Sequence, residues 1–204
     1  MNAESLKRAM AQISAVMNEN REYLVELDSR NGDGDLGISM SSGYQAVKDY
    51  LATSEERDLG ILLKNCSSVF NEAAPSSLGT ITSFALLGMA KALRKKKECT
   101  LEELADAMAA GLQMIMDKAG SKPGEKTILD ALCPAVEALK QNSGADTKTA
   151  FELAAKAAAE GSESTKEMRS VHGRAAYYGD KSIGLVDGGS VVGKLIFEGI
   201  YTAC

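Results

Sequence analysis

Apolar residues recur at three- and four-residue spacing along almost the whole 204-residue chain, interrupted only by a few glycine-rich gaps. That period belongs to a helix with one buried face. No run alternates apolar and polar residues as a half-buried strand does, and no segment repeats. Helices are expected over about 5–27, 39–52, 59–70, 78–93, 100–119, 127–141, 147–170 and 191–203. Thr100 and Glu103 form a T-x-x-E capping box ahead of the fifth. Alanines in the seventh let neighbouring helix axes approach closely. Eight helices with short connections predict an all-α single domain, an up-and-down bundle with antiparallel neighbours.

Composition agrees. The chain is 45% apolar, enough for one good core, and its three prolines, 5% aromatics and lack of tryptophan argue against a β-sandwich or barrel. A formal charge of −5 makes a nucleic-acid partner unexpected, and "RKKK" at Arg94 to Lys97 reads as a solvated helix end. Cys66, Cys99, Cys133 and Cys204 contain no C-x-x-C pair and share one histidine, so zinc is not expected. They read as small core residues of a reducing compartment. The opening "MNAESLKRAM" lacks an apolar leader, and no run approaches the roughly 18 apolar residues of a spanning helix. The expectation is a soluble cytoplasmic protein without a membrane partner.

Loop signals concentrate at 28–38, 71–77, 120–126 and 171–190. These follow the first, third, fifth and seventh helices. Alternate loops of an up-and-down bundle share an end, so all four should meet, and a site is to be sought there. The first loop, within "LDSRNGDGDLGISMSSGY" from Leu27 to Tyr44, places Asp28, Asp33 and Asp35 among glycines. A plain surface turn would leave three like charges crowded without a cation. An EF-hand with Asn31, Asp33 and Asp35 at its first, third and fifth positions needs glycine and then glutamate where Leu36 and Ser42 stand. Magnesium held jointly with a nucleotide fits better: a few carboxylates and substrate phosphates complete its octahedron. Gly32, Gly34 and Gly37 would let the backbone come close, and the helix that follows would turn free N–H groups toward the anion.

The same stretch resembles the L-x-x-x-x-G-D-G-D-H-G-x-N-M-x-x-G signature of the nucleotide-binding subunit, subunit L, of the dihydroxyacetone kinase family. "DLGILLKN" (58–65), "KPGEKTILDAL" (122–132) and "GRAAYYGDKSIGLVDGGS" (173–190) are similar to that subunit's later motifs, in the same order. The resemblance covers nearly the whole chain and implies a subunit L-like nucleotide-binding domain over 1–204. Its implied fold is an eight-helix antiparallel barrel binding ADP or ATP at one end through Mg²⁺, two ions in the family. Asp28, Asp33 and Asp35 match the metal-binding aspartates, and with Arg174 would carry phosphoryl transfer. Leu36, Gly37, Ile38 and Ser39 match the phosphate turn. Ala73, Ala74, Gly79 and Thr80 fall in the second loop and the helix it opens, Gly120 and Ile128 around the third loop, and Arg174, Asp187, Gly188 and Gly189 in the last. The implied partners are a ketose-binding subunit K presenting a small ketose such as dihydroxyacetone, and, where ADP stays bound, a phosphocarrier subunit M. A homodimer stays open.

Departures accompany the matches. Leu36 replaces the family's histidine, "NEAAPS" (71–76) replaces a glycine-rich loop and introduces Glu72, and "DGG" replaces D-P-G. These motivate a second reading, a nucleotide-binding regulatory module that has lost catalysis. The related domain of fatty-acid kinases carries a D-G-D-T-G turn and fits less well. His172, alone of its kind, shows no evident partner in sequence and reads as structural. The nine methionines read as core filler. Tyr177 and Tyr178 either stack on an adenine or anchor their loop by packing. Ser76 and Ser77 have no histidine base and are not nucleophiles.

Overall fold

Most helices start where a side chain satisfies the free amides of the first turn. Asn2, Asp58, Ser76, Thr100, Asp146 and Asp187 each accept a backbone N–H from the helix they precede. The expected Thr100–Glu103 capping box closes in both directions. The computed structural model describes residues 1–30 and 32–204, so Asn31 of the aspartate turn lies outside the described residues. Among these, the helices are α1 (Ala3–Glu19), α2 (Arg21–Ser29), α3 (Leu36–Thr53), α4 (Leu59–Ala73), α5 (Ser77–Ala92), α6 (Leu101–Ala119), α7 (Leu129–Gln141), α8 (Thr147–Ser164) and α9 (Gly188–Thr202). Two 3-10 segments, Thr165–Glu167 and Arg174–Ser182, lie between α8 and α9. No strand is present among the described residues beyond one isolated bridge, Asn2 to Glu98.

Each helix from α3 onward packs on the next, and α9 returns to α1, which packs on α3. The ring α1, α3, α4, α5, α6, α7, α8, α9 is the expected eight-helix antiparallel barrel, with α2 as a bent continuation of α1. Close approach depends on small residues: a Cβ at Gly161 of α8 would lie 2.1 Å from the Asp130 carbonyl of α7. The inward faces carry leucine, methionine and alanine and surround a cavity of about 410 Å³, bordered by Met10, Ile13, Leu86, Met89, Leu112 and Phe151. No helix among the described residues is long and apolar enough to cross a membrane.

Several expected boundaries move. The single first helix over 5–27 is broken at Asn20, whose side-chain amide and backbone N–H both donate to the Val16 carbonyl. The second expected helix begins at Leu36 instead of Ser39, since the Asp35 carbonyl already accepts the Ser39 N–H at 2.8 Å and opens the helical ladder there. The seventh ends at Ser164, six residues early, where the Thr165 hydroxyl turns back onto the Ser162 carbonyl. The segment from 171 to 190, unplaced in the sequence, is partly 3-10 and kinks at Gly179 (φ 53°, ψ −127°). Cys66 and Cys99 are buried as expected, but Cys204 is exposed and no core residue.

Candidate functional site

Antiparallel order starts α3, α5, α7 and α9 at one end of the barrel, and side chains from their preceding loops touch there. The Ser76 hydroxyl donates to Ser39 Oγ at 3.2 Å, joining the second loop to the first turn of α3, directly after the first loop. Arg174 Nη2 lies 2.7 Å from Asp33 Oδ2, joining the fourth to the first. His172 Nε2 lies 2.6 Å from Glu125 Oε2, joining the fourth to the third. His172 therefore has a partner that the sequence did not reveal. The four loops meet at one end, and four helix N-termini bring their positive dipole ends with them.

The aspartate turn is built around Asp28, on the last turn of α2. Its Oδ2 accepts the Gly34 N–H at 2.7 Å, which folds the loop back over the carboxylate. A Cβ at Gly32 would fall 2.2 Å from Asp28 Oδ1 and 2.8 Å from the Asp28 carbonyl oxygen, so a larger residue here would displace the carboxylate, and Gly34 has φ 78°. Asp28, Asp33 and Asp35 each present a carboxylate oxygen, all within 4.8 Å of one another. Burial pushes the Asp35 carboxyl above its ordinary range, Asp33 and Asp28 push it further, and Arg174 opposes them. One guanidinium faces three carboxylates, and the array is short of positive charge.

Asp35 precedes α3 without capping it by its side chain, and the intrahelical ladder begins with Ser39 N–H donating to Asp35 O at 2.8 Å. The amides of Leu36, Gly37 and Ile38 lie ahead of that ladder. The Leu36 side chain turns away from them. It is 7% exposed, belongs to the core, and sits beside Gly188, where a Cβ would come within 2.7 Å of Leu36 Cδ2. Leu36 thus contributes packing at its side chain, while Ile38 is exposed. Ala74 and Gly79 are buried against each other, Ala73 is half-buried and Thr80 exposed. Gly120 is the left-handed C-cap of α6 and opens to solvent. Ile128 is 3% exposed and its side chain borders the barrel cavity, so only its backbone belongs to the loop end. Asp187 caps α9 by accepting the Ser190 N–H at 2.7 Å, placing Gly188 and Gly189 in the first turn. Burial pushes the Asp187 carboxyl up to about 7, against the opposing hydrogen bond from Ser190 and the nearby Lys126 charge. Glu72 is exposed.

Tyr177 is 92% exposed and Tyr178 46%, so neither anchors the last loop by packing. The residue that does hold it was missed in the sequence. Lys126 is buried and reaches main-chain carbonyls on both sides of the Arg174 segment. Its only sequence signal is a charged residue wedged between a glycine-rich gap and an apolar helix start.

A family model, DAK2 domain, matches residues 31–202. The chain belongs to the DAK2 domain family. Among curated DAK2 relatives, the ADP-binding subunit DhaL of PEP-dependent dihydroxyacetone kinase from Escherichia coli (strain K12) is 31% identical over 177 residues, 86% of this chain and 84% of that protein. The L-erythrulose kinase of Pectobacterium atrosepticum is 28% identical over 98% of this chain, which spans only 36% of that longer protein. The crystal structure of the dihydroxyacetone kinase from C. freundii in complex with AMP-PNP and Mg²⁺ superposes with a TM-score of 0.79 at 19% identity. It covers all of this chain, which spans 34% of that one, and it shows that the DAK2 barrel is shared.

Proposed function

We propose that this chain is the nucleotide-binding half of a small-ketose kinase, holding ADP or ATP with Mg²⁺ while a separate subunit presents the ketose for phosphoryl transfer. The observation that carries the reading is the aspartate array beside the uncapped start of α3, with Arg174 facing it. The array fits magnesium by its chemistry: its donors are hard carboxylate oxygens, and the single cation facing them leaves negative charge uncompensated. Asp28, Asp33 and Asp35 would hold the ion. When bound, it supplies charge neutralisation on the phosphate oxygens.

The chain's own groups do the remainder. The Leu36, Gly37 and Ile38 amides donate to phosphate oxygens at the positive end of α3, with Ser39 fixing that turn against Ser76. Ala73, Ala74, Gly79 and Thr80 wall the second side, Gly120 and the Ile128 backbone the third. Arg174 offsets charge that develops during transfer, and Asp187, Gly188 and Gly189 close the last side. Among the described residues no side chain of the site is assigned the part of a covalent nucleophile, and catalysis is positioning and electrostatics, as suits a loose transition state. The DhaL relatives support the reading through their names, and sequence similarity to them spans most of both chains. The proposal extends to a cytoplasmic protein, a subunit K-like partner, two Mg²⁺ ions, and a phosphocarrier recharging bound ADP.

Calorimetric titration of ADP with Mg²⁺ and with EDTA tests this, after mass spectrometry for co-purified nucleotide. Tight binding that requires Mg²⁺ is expected, and no binding in either condition would end the proposal. Leu36, a buried apolar side chain where the resembled family has histidine, favours a second reading, a regulatory nucleotide-binding module. Phosphorylation of dihydroxyacetone in the presence of a cognate ketose-binding subunit separates the two.

A further inference from the structure

Lys126 is 3% exposed, yet among the described residues its ammonium forms no ion pair. Its Nζ lies instead within hydrogen-bond distance of four main-chain carbonyls, those of Thr165 (2.8 Å), Met168 (3.1 Å), Ser182 (2.6 Å) and Leu185 (2.6 Å), which share its three N–H donors. Thr165 and Met168 lie before the segment that carries Arg174, and Ser182 and Leu185 lie at its end and beyond. One charge therefore pins both feet of a strap whose crown is otherwise poorly packed, with Tyr177 almost fully exposed. The backbone is bent to deliver it: Lys126 has φ 61°, a left-handed conformation that a side-chain-bearing residue adopts only under constraint. Three further bonds cross between the feet. Gly184 N–H donates to Lys166 O at 2.7 Å, Ser170 N–H to Ser182 Oγ at 2.9 Å, and Asp187 N–H to Thr165 Oγ1 at 3.0 Å.

Four convergent carbonyls form the kind of cage that suits a monovalent cation, and a buried carbonyl left without a donor is costly. An apolar residue of the same length is therefore no substitute for lysine here. We propose that Lys126 is a positioning residue: its tethered ammonium fills a carbonyl cage and thereby sets Arg174 over the aspartate array. The inference rests on the nucleotide-site reading above for its functional half. Its structural half, the control of the strap, stands apart from any ligand.

The test compares wild type, Lys126→Ala and Lys126→Met by amide hydrogen exchange without nucleotide and by Mg²⁺-ADP titration. Both measurements are run with and without n-propylammonium, which carries the atoms that the alanine variant lacks. In Lys126→Ala the Ser170, Gly184 and Asp187 amides are expected to exchange faster and Mg²⁺-ADP affinity to fall, each by about tenfold or more. Amides of α4 to α6 stay unchanged, and n-propylammonium restores both quantities. In Lys126→Met the same losses are expected without recovery, since the methionine occupies the channel. If the alanine variant does not fold, the methionine variant alone decides by whether its loosening is confined to the strap. Unchanged strap exchange, or uniform loosening of the whole chain with no recovery by the amine, overturns the proposal. If wild type itself fails to bind Mg²⁺-ADP, the nucleotide reading falls, and the exchange comparison still decides whether Lys126 holds the strap.

Discussion

Neutralising Asp33 should separate a ligand role from a structural one, because the two predict opposite signs. Asp33 belongs to two of the three carboxylate pairs in an array spanning at most 4.8 Å. At that distance each pair repels by about 0.9 kcal/mol in water-like surroundings, so Asp33→Asn relieves roughly 1.7 kcal/mol before salt screening. Against this stands the ion pair with Arg174 at 2.7 Å, whose side chains are 67% and 39% exposed. An exposed pair of this kind is worth about 0.2–1 kcal/mol. The metal-free variant should therefore match wild type within about 1 kcal/mol or slightly exceed it, read by urea denaturation in EDTA. Mg²⁺-ADP affinity should fall by at least about a hundredfold, ~2.7 kcal/mol, read by calorimetry. A metal-free variant destabilised by more than about 2 kcal/mol, with nucleotide affinity unchanged, would falsify the ligand role and leave Asp33 as a structural partner of Arg174.

Asp187 should make stability fall as pH rises. Its carboxyl sits near 7 in the folded protein and at its ordinary value of 3.8 when unfolded, so between those values the native state keeps a proton that the unfolded chain has lost. The stabilisation is complete below about pH 4 and fades through about pH 7, with a slope approaching 1.4 kcal/mol per pH unit. Urea midpoints across that range should flatten in Asp187→Asn, and an unchanged slope sinks the assignment. Arg174→Lys keeps the charge but loses the planar fork, so Mg²⁺-ADP affinity should drop about tenfold while metal-free stability moves by less than about 0.5 kcal/mol. Equal affinity in calorimetry would remove Arg174 from the site. Gly79→Ala puts a Cβ 1.9 Å from the Ala74 carbonyl oxygen, a backbone atom that cannot swing aside. Denaturation should show a loss of more than about 2 kcal/mol, and a neutral result would mean that the start of α5 is looser than described.

The barrel was legible because its helices show their buried faces directly in the apolar spacing, and loop order alone brought four loops to one end. The break at Asn20 was not legible, since the apolar stripe continues from Met17 to Leu24 across it. Nor was the strap after α8. Short 3-10 turns carry no 3.6-residue stripe, and what holds them is one lysine some forty to sixty residues away in sequence. Leu36 shows the limit of reading a motif by substitution. The exchange for histidine marks a departure at the phosphate turn, but that the leucine fills core space beside Gly188 could not be read from it. His172 and Glu125 were similarly out of reach, 47 residues apart and joined only by the fold.

The break at Asn20 leaves α2 as a nine-residue helix with only Leu24 and Leu27 buried, and Asp28 rides on its last turn. A helix this short does not hold itself together in water. Its local opening should therefore cost far less than unfolding the barrel, and the first carboxylate of the array comes and goes with that opening. A ligand that ties Asp28 to Asp33 and Asp35 staples α2 to α3. At a hundred times its dissociation constant, such a ligand makes opening costlier by about 2.7 kcal/mol. The amides of α2 are then a built-in gauge of site occupancy, legible by exchange while the ring of eight helices stays silent.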